Sequence, residues 1–348
     1  LGTGRGRRSL RPRRLMSRIF RSDAVQVGER VVARRDFGGV HSDVIGHVLS
    51  LNPLVIRPQE VGGFPSDLDA VEIPPEQLKI IKRLSPRMVR NSDIRAVEVA
   101  AAAAFPGGEH AWTSDGSWLL RVGDGATGSS NSAVPLGPSA GFTPVPLEEI
   151  KDFFARRDLP VRLLVPERIG KPAERLLADA AWETEPEMLA MVLRELPALA
   201  DAPSGSTFAS PTFHIEDHPD DKWLEMYHSR SGTLSPQALK HLSAPIEGTL
   251  GFGRLALERE TIAIARATIT ESGDGTAWLG LSNAEVAANS RCRGFGTLLG
   301  QHLLRWGRKN GAEHACLTVP ASDTAGVRLA EKLGFIEQHR RIYARLRD

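Results

Sequence analysis

The chain has 348 residues, too many for one small core, so two or three domains are expected. Hydrophobic and charged fractions of 41% and 25% are those of a globular protein. No stretch approaches the roughly 20 apolar residues of a membrane helix, which argues against a membrane partner. The net charge of +2 hides an asymmetry: residues 1–21 carry eight arginines and no acid, and the remainder is net acidic. A mildly acidic body argues against a nucleic-acid-binding surface, except through that arginine-rich tail. Residues 1–23 read as a basic disordered tail, or as sequence upstream of a start at Met16. No apolar segment follows the arginines, so no secretory signal is expected. Two cysteines, Cys292 and Cys316, cannot make a disulfide framework. His214, His218, His228 and His241 lack metal-ligand spacing. A cytoplasmic protein with reduced thiols and no metal is expected.

Residues 24–84 read as five short strands over 29–35, 44–51, 54–58, 70–73 and 78–84, separated by turns such as Asp36-Phe37-Gly38-Gly39. Without a long helix, this pattern resembles an SH3-like β-barrel. Such a barrel binds peptide or RNA, or serves as a packing or dimerisation module.

Residues 85–198 read as an α/β unit. Ser92 or Asp93 can cap a helix from Ile94 to Phe105, which Pro106-Gly107-Gly108 ends. A strand over 117–122, a helix over 147–157, a strand over 161–165, a helix over 173–182 and a strand over 188–193 follow. Ile150, Phe153 and Phe154 should face inward.

Residues 199–210, rich in Ala, Pro, Ser and Gly, read as a linker. In residues 211–348, helices are expected over 220–230 and 236–242, the second capped by Ser235 with Pro236 at its first position. Strands over 251–257, 261–270 and 277–286 form a meander. A glycine loop, Arg291-Cys292-Arg293-Gly294-Phe295-Gly296-Thr297, then opens an amphipathic helix with Leu299, Leu303 and Trp306 on one face, closed by Gly311. A buried strand over 315–319 and a short helix capped by Asp323 and ended by Gly334 complete the unit.

A loop between a strand and a helix N-terminus gathers backbone N–H groups and positive potential, and two arginines nearby favour an anionic guest. The loop is no Rossmann fingerprint, because position 299 is Leu, and no P-loop, because Gly-Lys-Ser/Thr is absent. Its Arg-x-x-Gly-x-Gly pattern resembles the pyrophosphate loop of the GCN5-related N-acetyltransferases. The run Leu329-Ala330-Glu331-Lys332-Leu333-Gly334-Phe335 is similar to that family's Leu-Tyr-Glu-Lys-Leu-Gly-Phe ending. The segment Ser117-Trp118-Leu119-Leu120-Arg121, followed by Asn131-Ser132-Ala133-Val134-Pro135-Leu136-Gly137, resembles the first half of two-part acetyltransferases. The implied fold is a small SH3-like β-barrel followed by tandem α/β (α+β) units, only the last with a cofactor loop.

The resemblance implies acetyl-CoA as co-substrate and acetyl transfer to a primary amine of a small molecule. An amino acid such as glutamate, an amino sugar or a thiol precursor would serve as acceptor. A catalytically weak acyl-CoA sensor or interaction protein is the alternative. By the same analogy, Val286 pairs with the pantetheine arm, and Arg291, Arg293, Gly294, Phe295, Gly296, Thr297 and Asp323 surround the cofactor. The family's proton-donating tyrosine is replaced by Ala330. Glu285 is a candidate base or a solvated strand carboxylate, and Tyr343 and Ser322 are candidate acids. Cys292 reads as a redox-sensitive thiol or a small loop filler. Trp118, Asn131 and Ser132 read either as core and turn residues or as walls of an acceptor cleft.

Overall fold

The computed structural model describes residues 25–123, 125, 127–197, 211–231 and 235–347. The basic tail and the linker lie outside the described residues. Five strands, β1 (Arg30–Phe37), β2 (Val40–Leu51), β3 (Leu54–Pro58), β4 (Val71–Ile73) and β5 (Leu78–Arg83), form an antiparallel sheet in the order β4-β3-β2-β1-β5. Val44, Gly46 and Val48 alternate inward along β2, the period-2 pattern of a half-buried strand. Val31, Ala33, Leu54, Ile56 and Ile73 complete that core. All five expected strands are present.

The next segment holds α1 (Asn91–Ala103), β6 (Glu109–Trp112), β7 (Leu119–Val122), β8 (Ser132–Val134), α2 (Leu147–Ala155), β9 (Arg162–Pro166), α3 (Lys171–Leu176), β10 (Trp182–Thr184) and β11 (Met188–Leu193). The capping expectation for α1 is corrected. Arg90 is the cap residue and Asp93 sits three positions in, where its carboxylate accepts from the Arg90 N–H at 2.8 Å. The helix expected over 173–182 stops at Leu176. Asp179 accepts from the Ala181 N–H and turns the chain, and Trp182 enters a strand opposite Leu346. Ile150, Phe153 and Phe154 are buried, as their helical spacing required.

The last segment holds β12 (Thr212–Glu216), α4 (Asp221–Ser231), α5 (Pro236–Leu242), β13 (Thr249–Leu257), β14 (Glu260–Glu271), β15 (Ala277–Val286), α6 (Phe295–Lys309), β16 (His314–Pro320), α7 (Thr324–Lys332) and β17 (Ile336–Leu346). Ser235 caps α5 through the Ala238 N–H, and Asp323 caps α7 through the Gly326 N–H. Gly311 and Gly334 follow α6 and α7 with φ of 91° and 93°, the left-handed geometry that ends a helix.

Both segments share one sheet, ordered β12-β13-β14-β15-β16-β11-β17-β9-β8-β7-β6, with β10 also paired to β17. Strand β11 of the first segment is inserted between β16 and β17. The C-terminal strand β17 therefore lies inside the sheet, and Glu337, Gln338, His339, Arg340 and Arg341 are all buried. One residue of β17 is extra: Ala190 faces His339 but Met191 faces Glu337, so Gln338 forms a bulge.

Candidate active site

The site starts where two strands part. The parallel pairing of β15 with β16 runs from Trp278 opposite His314 to Leu281 opposite Leu317 and then ends. Beyond Leu281, the edge of β15 that faced β16 has no strand partner among the described residues. On its other edge β15 carries a bulge, because three steps from Ser282 to Glu285 oppose two steps from Arg266 to Ile264. Asn283 takes the strain there, with φ of 52°. Its amide nitrogen donates to the Tyr227 hydroxyl at 3.2 Å, which ties the bulge to α4.

The glycine loop follows directly. Gly294 is the cap residue of α6, with φ of 86° and no side chain capping the first turn. Gly294 is exposed and a Cβ there would meet nothing within 4 Å, and no side chain among the described residues caps the first-turn N–H groups. Arg291 and Arg293 are exposed beside it, and Arg291 Nε donates to the Val286 carbonyl at 3.2 Å, fastening the loop to the end of β15. At Gly296 an added Cβ would lie 3.1 Å from Leu329 of α7 and 3.5 Å from Val286, so α6, α7 and β15 meet closely there. An uncapped helix start, two exposed cations and an unpartnered strand edge fit a diphosphate joined to an amide-containing arm.

Between the two segments lies a cavity of about 300 Å³. Ser282, Asn283 and Thr318 line it from the parting strands, Glu98 and Phe105 from α1 and its end, Arg121 from β7, and Arg341 and Tyr343 from β17. Glu98 is 1% exposed, and from Ala96 to Ala103 every other residue of its helix is Ala or Val. Its two oxygens are held by His339 Nε2 at 2.7 Å and Arg341 Nη1 at 2.9 Å. Burial alone would raise the Glu98 pKa, but Arg341 and His339 outweigh it and hold it at about 2.

Arg121 has no such partner. It is 2% exposed and donates to the Ala102 and Phe105 carbonyls and to Ser132 Oγ, with no carboxylate in salt-bridge reach among the described residues. The carbonyls at the end of α1 offer only partial negative charge. Burial accordingly lowers the Arg121 pKa to about 10. Arg121 Nε and Arg341 Nε are buried without a hydrogen-bond partner among the described residues. The ionised side chains of the cavity wall are thus two guanidiniums against one carboxylate.

The side chains singled out from the sequence separate here. Tyr343 lines the cavity. Glu285 stands half-buried on β15 opposite Ile264, and Ser322 is exposed before α7; neither lines the cavity. Asp323 spends its carboxylate on capping α7. Ala330 is 2% exposed inside the aliphatic core with Leu299, Leu303 and Phe335. Trp118 is fully buried in the core of the first segment, away from the cavity wall. Asn131 organises its own loop, accepting from the Gly123 and Gly125 N–H groups, while Ser132 reaches the site only through Arg121. Glu98, Arg121, Arg341, Asn283 and Tyr227 escaped sequence reasoning. The signal available for Glu98 was a lone acid in the run Ala96-Val97-Glu98-Val99-Ala100.

Comparison with known proteins gives concordant results. Residues 91–344 match the family described as probable histone acetyltransferase Rv0428c C-terminal. The chain is 37% identical over 318 residues to the probable histone acetyltransferase Rv0428c of Mycobacterium tuberculosis, covering 90% of this chain and 93% of that protein. It is 29% identical over 258 residues to the uncharacterized N-acetyltransferase YobR of Bacillus subtilis, covering 72% and 98%. A solved GCN5-related N-acetyltransferase from Kribbella flavida superposes with a TM-score of 0.53 at 15% identity, over 74% of this chain and 96% of that one, a likeness of fold.

Proposed function

The chain belongs to the family of the Rv0428c C-terminal region, within the GCN5-related N-acetyltransferases, and from that membership we propose that it acetylates a small primary amine that also carries a negative charge. The observation that carries the acceptor class is Arg121, a buried guanidinium with no carboxylate in salt-bridge reach among the described residues, in the wall of a cavity lined by both segments. A buried charge costs several kcal/mol unless paired, and the carbonyls and hydroxyl on Arg121 bring no full counter-charge, which supports an anionic group on the acceptor. An amino acid such as glutamate has the required chemistry. The relative's name specifies a histone acceptor. A lysine-rich tail would bring further cations to a wall already in cationic surplus, which disfavours that reading here.

The acetyl donor in this reading is acetyl-CoA, which supplies an acyl thioester. Backbone N–H groups from Arg293 to Thr297 hold its diphosphate at the start of α6. The free edge of β15 toward Val286 receives the pantetheine arm. Arg121 and Arg341 orient the acceptor through its anionic group, which leaves the amine toward the parting of β15 and β16. Glu98 is no base, because both of its oxygens are engaged and its pKa of about 2 makes it a poor proton acceptor. Tyr343, in the cavity wall, is assigned to proton transfer at its phenol oxygen. Tyr227 holds the Asn283 bulge. The chain has only these two tyrosines, and both stand at the site.

Calorimetric titration of acetyl-CoA into the intact protein and Gly294→Glu, followed by thiol release with acidic amino acids, polyamines, aminoglycosides and a lysine-rich peptide, tests the reading. Binding lost in the variant and turnover of an acidic amine are expected. Turnover of only cationic amines would overturn the acceptor class, and no binding of acetyl-CoA would overturn the whole reading.

A further inference from the structure

The five-stranded N-terminal unit forms a sheet of its own, yet it grips the strand that carries the cavity's Arg341 and Tyr343. Ser85, just past β5 and 8% exposed, donates its hydroxyl to the Gln338 carbonyl at 2.5 Å. Arg83 of β5 pairs with Glu337 at 3.2 Å. The grip is itself buttressed, since Arg30 of β1 donates to the Ser85 carbonyl at 2.9 Å and to the Arg87 carbonyl at 3.3 Å, and its Nε reaches Gln59 at 2.5 Å.

The residue held is the bulge of β17. Side chains alternate along a strand, so one extra residue exchanges the two faces for everything on one side of it. With Gln338 bulged, His339, Arg341 and Tyr343 follow at period 2, and the last two line the cavity. Without the bulge, the register set at Glu337 would bring Arg340 and Ile342 to that face. A bulge leaves its own backbone groups out of the regular ladder, and the Ser85 hydroxyl takes the Gln338 carbonyl. Gln338 Oε1 also contacts His339 Nδ1 at 2.9 Å, and His339 passes on to Glu98 and thence to Arg341. A second route runs through the chain, because the segment after Ser85 leads directly into α1, which carries Glu98.

We infer that the N-terminal five-stranded unit braces the acceptor cavity, with Ser85 and Arg83 pinning the β17 bulge at Gln338 and so fixing the face on which Arg341 and Tyr343 point. The acceptor part of this inference rests on the proposed function; the pinning of β17 does not. It is tested on the full-length protein by hydrogen–deuterium exchange of Ser85→Ala and Arg83→Gln, with Arg34→Ala, which breaks only an exposed pair with Asp43 in the same unit, as control. Loss of the Ser85 hydroxyl leaves a buried carbonyl unpaired, so amides of residues 337–343 should exchange about tenfold faster, while residues 291–297 and the Arg34→Ala control stay unchanged. With the amine identified, its KM should rise about tenfold for Ser85→Ala, with acetyl-CoA binding unaltered. Unchanged exchange in β17 or a rise spread evenly over the chain would overturn the pinning, and altered exchange with an unaltered acceptor KM would overturn its link to the acceptor cavity. Because exchange needs no acceptor, failure of the amine reading and failure of the brace are told apart.

Discussion

Glu98 of α1 and Arg341 of β17 meet at 2.9 Å across the wall of the cavity, joining the first segment to the last strand of the chain. Folding depresses the Glu98 pKa from an ordinary glutamate value of about 4.3 to about 2. The stabilisation is therefore complete above about pH 4.3 and is lost as the pH falls through about 2. The shift corresponds to about 3 kcal/mol at neutral pH. Glu98→Gln should lose about that much in urea unfolding at pH 7, since it leaves Arg341 buried without its counter-charge. It should also show a shallower loss of stability between pH 5 and 2. Equal stability of the two proteins would mean that the pair contributes nothing net.

Arg121→Met keeps the volume of the side chain and removes its charge. A charge-assisted contact to an anionic acceptor contributes about 1.5–3 kcal/mol, so the acceptor KM should rise roughly ten- to a hundredfold. Calorimetric binding of acetyl-CoA should stay as it was. An acceptor KM that is the same in both proteins would remove Arg121 from the site.

The two cysteines separate by environment. Cys292 is exposed in the glycine loop, while Cys316 is buried beside the cavity and burial pushes its thiol up to about 12. A thiol-reactive dye at pH 8 should label one cysteine in the native protein and two after denaturation. Peptide mapping should place the first label on Cys292. Fast labelling of Cys316 would show that the cavity opens far more than its packing implies.

Most of the glycine loop and the helices around it was legible in the sequence because these are made by local rules. The loop glycines, the Ser235 and Asp323 caps and the stops at Gly311 and Gly334 act within a few residues of themselves. The cavity was not legible, because Glu98, Arg121 and Arg341 are brought together from positions far apart in the chain. Their chemistry follows from β11 being inserted between β16 and β17, a topology with no local signature. The helix expected over 173–182 failed for a related reason. Trp182 fits an apolar helical face as well as a strand, and pairing with Leu346 at the far end of the chain decided between them.

The glycine loop makes a graded expectation. Gly294 has φ of 86° but open space around an added Cβ, so Gly294→Ala should cost about 1–2 kcal/mol of backbone strain and weaken acetyl-CoA binding modestly. Gly296→Ala would press on Leu329 at 3.1 Å and shift α6 against α7, with a loss of stability of similar size. Gly294→Glu adds a carboxylate where anions are attracted, and should abolish measurable binding. A reversed order, with Gly294→Ala worse than Gly294→Glu, would contradict an anion site at the start of α6.

The absence of the family's tyrosine at Ala330 leads to the sharpest comparison. Ala330 packs in the core against Leu299 and Phe335, so Ala330→Tyr should overpack it, cost about 1–3 kcal/mol and leave kcat no higher. Tyr343 already stands in the cavity wall, and Arg341 lies 6.0 Å from its ring. A positioned acid contributes roughly 10²–10⁴ in rate, so Tyr343→Phe should lower kcat at least about a hundredfold with little change in acceptor KM. Tyr227→Phe removes only the acceptor for Asn283, so its effect should be smaller and should fall on acetyl-CoA binding through the β15 bulge. Steady-state kinetics of the three variants at several pH values distinguish the roles. If Tyr343→Phe keeps full kcat while Tyr227→Phe loses it, the proton is moved from α4 and not from β17.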